Sequence, residues 1–312
     1  MTLLLALAVS FVMMAAPLGF GQGKPLERRP AKPSASANEK GLVKLWVVAK
    51  SNPRTLIQNL TRQELHVYQD KHEQEIVRFA YMPREPLRLG VLIDMSLNRD
   101  LDQPDALSAE PILKFLTATL GKDDRAFVAV FNDSATFLCP WTNKPEELDD
   151  ALRRAFSTEL DGPANLYDAI YTLCEERFSS EPGRKALVVL SDSPDENSSH
   201  TELETLEAVH STDTIIYPVM PWERTLSAPL FRNVSFAQLF ANDTGGFFYF
   251  AIKPEELDKS LKGIGTVVNH FYELAYRPDS NLHDGKIHNI KVTCSRHGIK
   301  VYTREGYYAP KS

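Results

Sequence analysis

The chain has 312 residues, of which 43% are hydrophobic and 24% are charged, and its formal net charge is −6. This length suits one large domain or two smaller ones, at roughly 100–200 residues per domain. Acidic and basic side chains are interspersed without the basic stripe that nucleic-acid binding needs, so the sequence gives no support for a nucleic-acid partner.

The amino-terminal segment Leu3–Phe20 is apolar and closes on small residues, a pattern typical of a secretory signal peptide. No Lys or Arg precedes Lys24, so the usual basic start is missing. An uncleaved membrane anchor is the alternative, but Pro17 and the glycines near the end of the segment favour cleavage. We expect a signal peptide over residues 1–21 and a disordered linker, rich in Lys, Pro, Ser and Ala, over residues 22–41. The mature protein would then be secreted, or periplasmic or otherwise in the cell envelope, with no membrane span.

A strand-rich segment without helices follows over residues 42–82. Alternation of apolar and polar residues predicts strands at Leu42–Lys50, His66–Gln69 and Glu75–Phe79. So few strands would leave unpaired edges if they stood alone, and small isolated sheets are marginally stable. This first flank is therefore expected to need a pairing partner elsewhere in the chain.

Strand-like and helix-like patterns alternate between residues 83 and 270, which favours crossover βαβ units. Strands are predicted at Leu87–Asp94, Ala126–Asn132, Ala135–Cys139, Ala186–Asp192, Thr214–Val219 and Gly246–Phe250. Helices are predicted at Ala109–Leu120, Pro145–Phe156, Leu166–Phe178, Thr201–His210, Phe236–Asn242 and Pro254–His270. Continuous Val/Ile/Leu runs are typical of parallel strands buried on both faces. The prediction is an α/β fold with a doubly wound, mainly parallel, Rossmann-type sheet, in which Ala135–Cys139 is an antiparallel edge strand.

The carboxyl-terminal segment, residues 271–312, returns to strands without helices. They are predicted at Tyr272–Tyr276, His288–Ser295 and Ile299–Thr303. The economical arrangement is that both flanks pair into one small all-β, sandwich-like domain, into which the α/β domain is inserted. The three cysteines, Cys139, Cys174 and Cys294, are interpreted as small buried residues rather than as a disulfide framework, and pairing of two of them stays open.

Two of the predicted strands end in a carboxylate, Asp94 and Asp192. Ser96 and Asn98 follow the first of these within two and four residues. Open α/β sheets bind ligands beyond the carboxyl ends of their strands, so these oxygen-bearing side chains should meet at one edge. A hard cation such as Mg²⁺ prefers such ligands. The alternative is that both aspartates only cap the helices or loops that follow them.

Three segments resemble the metal-site loops of von Willebrand factor type A domains: Asp94–Asn98, Ala164–Ala169 and Leu190–Asp192. The flanks resemble the secreted subfamily first described in Acidobacteria, through Leu60–Asp70, Tyr272–Pro278, Asp284–Val292 and Gly306–Pro310. The resemblance covers roughly Leu42 to Pro310, and it implies a site that binds Mg²⁺ through Asp94, Ser96, Asn98, Asn165 and Asp192.

The sequence departs from the family pattern at two positions. Asn98 stands where the family usually has Ser, and its amide oxygen is a weaker ligand than a charged oxygen would be. Ala164 stands where the family usually has Thr, and only the neighbouring Asn165 offers a side-chain oxygen there. A degenerate site is therefore an alternative to a working one. The acidic loop Ser193–Asn197 is predicted to be solvated, with tuning of the metal or contact with a partner as the alternatives.

The resemblance implies an exported protein-binding module of the adhesion type, in which an acidic residue of a protein partner completes the metal shell. A metal-free structural envelope protein is the first alternative, and a metal-dependent hydrolase that uses Asp94 is the second. No nucleophile and base stand in a convincing pattern, and a reaction without general acid or base forfeits roughly 10²–10⁴-fold in rate. We therefore expect that the protein is not an enzyme.

Overall fold

The structure, a computed structural model, describes residues 41–52, 55–82, 85–95, 108–157, 162–191, 195–221, 230–251, 254–278 and 284–309. The predicted signal peptide and all of the predicted linker except Gly41 lie outside these residues. Within the described ranges, no helix is long and apolar enough to cross a membrane.

The described residues form fourteen β-strands and six α-helices. The strands are β1 Val43–Asn52, β2 Thr55–Leu56, β3 Leu65–Gln69, β4 His72–Tyr81, β5 Leu87–Asp94, β6 Arg125–Phe131, β7 Ala135–Phe137, β8 Arg184–Leu190, β9 Thr214–Pro221, β10 Tyr249–Ala251, β11 Tyr272–Arg277, β12 Ile287–Cys294, β13 Lys300–Tyr302 and β14 Gly306–Tyr308. The helices are α1 Ala109–Thr119, α2 Pro145–Ser157, α3 Leu166–Leu173, α4 Glu202–Thr212, α5 Leu230–Thr244 and α6 Pro254–Val268.

Six strands form the sheet of the α/β region, in the order β10-β9-β8-β5-β6-β7. Every pair in this sheet is parallel except β6 with β7, which is antiparallel. Counted within this region, the order is that of a doubly wound Rossmann sheet, with the strand order reversing between β5 and β8. The predicted α/β fold, including the antiparallel edge strand, is confirmed.

Several predicted elements differ from the observed ones in extent, among them a helix and a strand of the α/β region. The helix predicted to run to Phe178 is α-helical only to Leu173 and continues as one π-helical segment, Cys174–Phe178. The strand predicted from Gly246 begins at Tyr249 instead. The Gly246 amide donates to the Ala241 carbonyl at 2.7 Å, so this residue still belongs to the end of α5.

The strands of the two flanks form a second sheet, which is antiparallel throughout. Its order is β13-β1-β11-β4-β3-β12-β14, and β2 also pairs with β1. β11 from the carboxyl-terminal flank lies between β1 and β4 from the amino-terminal flank, with Leu274 opposite both Leu45 and Phe79. The flanks are thus interleaved by backbone pairing. These strands form one sheet, and the arrangement of two facing sheets in a sandwich stays a prediction.

β1 contributes to two hydrophobic cores. Val43, Leu45 and Val47 pack with apolar residues of the flank sheet, whereas Trp46 and Val48, on the other face of the strand, belong to the core of the α/β region. The Trp46 ring meets Phe271 edge-on, with 5.2 Å between ring centroids. Because side chains alternate across a strand, one strand can fasten the flank sheet to the α/β core.

All three cysteines are free. Cys139 and Cys174 are buried, in agreement with their interpretation as small core residues, and Cys294 is half-buried. Burial raises the pKa of the Cys174 thiol to about 12, so this thiol is neutral at physiological pH.

An ion pair between Glu64 and Arg296 joins the two flanks. The Arg296 guanidinium donates from Nε to Glu64 Oε1 at 2.6 Å and from Nη2 to Glu64 Oε2 at 2.8 Å. These hydrogen bonds, with those from Thr61, hold the pKa of the Glu64 carboxyl at about 2. A pKa below that of the unfolded chain means that ionised Glu64 stabilises the folded state.

Glu64→Gln should therefore lower the free energy of unfolding at neutral pH and have progressively less effect in acid. The difference between wild type and variant should be complete above the unfolded pKa of about 4.3 and should fade as the pH falls towards 2. Urea unfolding between pH 2 and pH 7 measures it. Glu75→Gln is the matched control, because Glu75 is exposed and its ion pair with Arg62 is long, at 4.0 Å between Oε1 and Nη2. A difference that does not vary with pH would contradict the prediction.

Candidate functional site

Asp94 is the last residue of β5 and is fully buried. It lies opposite Phe131 of β6, while its neighbour Ile93 lies opposite Leu190 of β8. The carboxylate is thus at the carboxyl end of the central strand, between the ends of β6 and β8. This is the switch point at which doubly wound sheets bind ligands.

Ser191 is a site residue that the sequence analysis did not identify. Its hydroxyl donates to Asp94 Oδ2 at 2.6 Å, and both groups are buried. The register of β5 with β8 places the residue after Leu190 beside Asp94, so the signal was present but required knowing that these strands are neighbours. The hydrogen bond fixes the rotation of the carboxylate, which has four lone-pair positions in all.

Asn165 immediately precedes α3 and lies beside the end of β6, the strand next to β5. Its backbone amide donates to the carbonyl of Asn132 at 2.8 Å, and its side-chain Nδ2 donates to the carbonyl of Asp133 at 3.0 Å. Asn165 is 8% exposed, and its Oδ1 is buried without a hydrogen-bond partner. A buried acceptor without a partner costs about 1–3 kcal/mol, which a bound cation or donor would recover.

Ala164 is buried and holds its position through its backbone. Its amide donates to Glu196 Oε2 at 3.1 Å, and its carbonyl accepts from the Glu196 amide at 3.0 Å. The methyl side chain offers no ligand, as the sequence predicted. The loop around Glu196 is therefore not simply a solvated acidic segment, because its hydrogen bonds hold the start of α3.

The first turn of α3 is bonded to the same loop at several points. The Tyr167 amide donates to Asp195 Oδ1 and the Asp168 amide donates to Ser198 Oγ, both at 3.0 Å. Carboxylates at a helix amino terminus are stabilised by the helix dipole and by its unpaired N–H groups. None of the interpretations of the acidic loop made from the sequence, solvation, metal tuning or contact with a partner, included this capping role.

Asp168, on α3, accepts hydrogen bonds from the loop. It accepts from the backbone amides of Ser199 and His200, both at 2.8 Å, and the His200 ring Nδ1 lies 2.6 Å from its Oδ1. Burial opposes ionisation of Asp168, but these hydrogen bonds outweigh it and lower the pKa of the carboxyl. The His200 ring stacks on Tyr171 with 3.8 Å between centroids. Loop and helix are therefore bonded in both directions.

Of the five predicted ligands, the structure places Asp94 and Asn165 at the same edge of the sheet. Ser96, Asn98 and Asp192 lie outside the described residues. With Ser191, the described side chains at this edge offer a carboxylate, an amide oxygen and a hydroxyl. Oxygen atoms of this kind fit a hard cation such as Mg²⁺. Within the described part of the chain, no group of three or more His, Cys, Asp or Glu side chains could hold a metal ion.

No protein-family model matches the chain, and no curated protein matches it in sequence. Several solved structures resemble it in part. The vWF domain of the type V pili tip protein Mfa5 from Porphyromonas gingivalis is 9% identical, with 59% of this chain and 95% of that chain covered and a TM-score of 0.44. The ArnB paralog VWA2 from Sulfolobus acidocaldarius is 14% identical, with 87% and 76% covered and a TM-score of 0.42.

A third solved structure is proximal thread matrix protein 1 from the mussel byssus, with a zinc-occupied MIDAS motif. It is 11% identical, the TM-score is 0.48, and the match covers 65% of this chain and half of that one. The solved structures that resemble this chain thus include von Willebrand factor A domain proteins, the group that its sequence motifs resemble.

Proposed function

We propose that the protein is an exported binding module that recognises a protein partner through a Mg²⁺ site at the carboxyl-end edge of the α/β sheet. The observation that carries this proposal is the presence, at one edge of the sheet, of buried Asp94 at the switch point and of the buried and unpartnered Oδ1 of Asn165, which precedes α3 beside the end of β6. Both are oxygen ligands of the kind that Mg²⁺ prefers.

Asp94 and Asn165 would hold the ion, together with Ser96, Asn98 and Asp192. The bound ion would supply a positive charge that attracts an acidic residue of the partner. Ser191 would orient Asp94 through its hydroxyl. Mg²⁺ usually keeps several waters and takes few protein ligands, so the missing hydroxyl at Ala164 is compatible with binding.

We also propose the domain organisation expected from the sequence: a signal peptide over residues 1–21, a linker over residues 22–41, and an α/β domain over residues 83–270 inserted in a β-domain made of residues 42–82 and 271–312. The interleaved order of β1, β11 and β4 supports the last of these, because neither flank has its full set of pairing partners without the other.

A metal-free structural envelope protein is the second candidate, and Ala164 is the observation that favours it. A hydrolase is less well supported, because Asp94 is wholly buried beneath the edge of the sheet. That position suits a group that orients an ion better than a nucleophile that must reach a substrate atom. We therefore propose a non-enzymatic role.

Mn²⁺, as a probe for Mg²⁺, should bind the purified mature protein in isothermal titration, and Asp94→Asn should weaken this binding at least tenfold. A tenfold loss corresponds to about 1.4 kcal/mol, and the loss is expected because the variant replaces the buried carboxylate at this edge with a neutral amide. Asp123→Asn is the matched control, since Asp123 is exposed and precedes β6 at the opposite edge of the sheet.

Absence of binding by the wild type at millimolar Mn²⁺ would contradict the proposal and favour the metal-free envelope protein. Where a partner has been purified, addition of EDTA should dissociate the complex. A complex that survives EDTA would show that recognition does not pass through an ion, whatever the titration gives.

A further inference from the structure

The loop Asp195–His200, here called the latch, replaces the cap that Asn165 would ordinarily supply to α3. Asn165 is the N-cap residue of this helix, yet its side chain makes no capping hydrogen bond. An N-cap Asn normally accepts, through its side-chain oxygen, from the second or third amide of the helix. In α3 those are the amides of Tyr167 and Asp168.

Both of these amides are already occupied by the latch. Tyr167 donates to Asp195 Oδ1 and Asp168 donates to Ser198 Oγ, each at 3.0 Å. The Ser198 hydroxyl in turn donates to Asp195 Oδ1 at 2.5 Å. This hydrogen bond holds the two acceptors in place beside each other. With its usual donors taken, Asn165 Oδ1 has no local partner.

The remaining contacts of Asn165 hold its side chain in that state. Nδ2 donates to the Asp133 carbonyl, which fixes the orientation of the amide plane. The preceding residue, Ala164, is clamped on both its amide and its carbonyl by Glu196. The latch and the bond to Asp133 together leave this oxygen without a partner, on a residue that is 8% exposed.

We infer that Asp195 and Ser198 are positioning residues for the ion site: by capping α3 in place of Asn165, they keep the Asn165 amide oxygen available to a hard cation. This inference rests on the proposed function, since it concerns the same site. It also gives a physical account of how a chain with Ala164 can still present an oxygen from its second loop. Neither Asp195 nor Ser198 touches the ion in this arrangement.

The test is a double-mutant cycle read by Mn²⁺ titration. In the variant Asp195→Ala with Ser198→Ala, the Tyr167 and Asp168 amides lose their acceptors, and Asn165 Oδ1 should turn to cap them. Mn²⁺ affinity should then fall about tenfold. Asn165→Ala should produce a similar loss in the wild-type background and little further loss in the latch variant, because the oxygen is already withdrawn there.

Two further variants separate positioning from general stability. Asp195→Asn retains an oxygen that can accept from the Tyr167 amide, so it should keep most of the affinity. Thr201→Ala removes the cap of α4, where Thr201 Oγ1 accepts from the Glu204 amide at 3.3 Å. It should lower stability and leave Mn²⁺ affinity unchanged. If the latch were purely structural, the variant Asp195→Ala with Ser198→Ala would also lower stability without changing Mn²⁺ affinity.

The outcomes are distinguishable. Wild-type protein that binds no Mn²⁺ overturns the proposed function and the inference with it. Wild-type binding with unchanged affinity in the latch variant overturns the inference alone. Equal losses from Asn165→Ala in both backgrounds also overturn it, because they would show that the latch and the Asn165 oxygen act independently.

Discussion

Gly245→Ala should lower the free energy of unfolding by about 2 kcal/mol more than Gly298→Ala does. Both glycines have positive φ, +83° and +75°, where a side chain costs about 1–2 kcal/mol by itself. An added Cβ at Gly298 would meet nothing within 4 Å, but at Gly245 it would lie 2.6 Å from the carbonyl carbon of Thr303 and 2.7 Å from the Arg304 nitrogen. Both are backbone atoms, and overpacking of this kind costs about 1–3 kcal/mol.

Urea and thermal unfolding of the two variants measure the difference, which should appear as a melting temperature roughly 4–8 °C lower for the Gly245 variant. Because both substitutions carry the same backbone penalty, the difference reports the contact between the end of α5 and the carboxyl-terminal flank. Equal decreases in the free energy of unfolding would mean that the backbone around Thr303 moves aside without a penalty. That result would contradict the prediction.

The flank is fastened at that point by a buried arginine. Arg304 Nη1 donates to Asp213 Oδ1 at 3.2 Å, and its Nη2 donates to the Lys44 carbonyl at 3.0 Å. One side chain thus joins the carboxyl-terminal flank to the end of α4 and to β1. A buried guanidinium that loses its partners destabilises the fold. A methyl group at position 245 that displaces Thr303 and Arg304 should therefore weaken both of these hydrogen bonds.

The buried strands of the α/β sheet could be predicted from the sequence because they are covered on both faces. β5 has the bounds predicted for it, and every one of its residues is buried. β8 was predicted to begin at Ala186, but it begins two residues earlier with Arg184 and Lys185, both buried. Arg184 donates to the Val268 carbonyl at 2.6 Å and lies 3.7 Å from the Phe271 ring centroid. These partners are more than eighty residues away, so no local pattern could show that the arginine belongs to a strand.

In the candidate site, too, the features set by local sequence could be predicted and those set by distant contacts could not. Asp94 could be found because it ends an apolar run, and Asn165 because of its place in a motif. Ser191 required the register between β5 and β8, and the capping of α3 by Asp195 required a contact across 28 residues. The unpartnered oxygen of Asn165 in turn depends on that capping. Features that rest on one strand can thus be predicted from sequence, whereas those that rest on how loops meet need the structure.

Ending the chain after Pro278 should destroy the flank sheet. The truncation removes β12, β13 and β14, so β3 loses its partner β12 and β1 loses its partner β13. It also removes Ile290, Val292 and Tyr307 from the flank core. Each fully buried side chain of this size contributes about 1.5–3 kcal/mol, so the loss approaches the whole stability of a typical domain, about 5–15 kcal/mol. Exposed strand edges with apolar faces pair with other chains.

The truncated protein should therefore be found in the insoluble fraction, or as aggregates by size-exclusion chromatography, when it is expressed beside the full mature chain. The matched control ends after Ala309, which keeps every described strand and removes only Pro310–Ser312. It should match the full chain in solubility and melting temperature. If the chain that ends at Pro278 is equally soluble and stable, the amino-terminal strands hold together without β12 and β13. β11 alone would then supply what the amino-terminal strands need from the carboxyl-terminal flank, and the prediction that β12, β13 and β14 are required would be wrong.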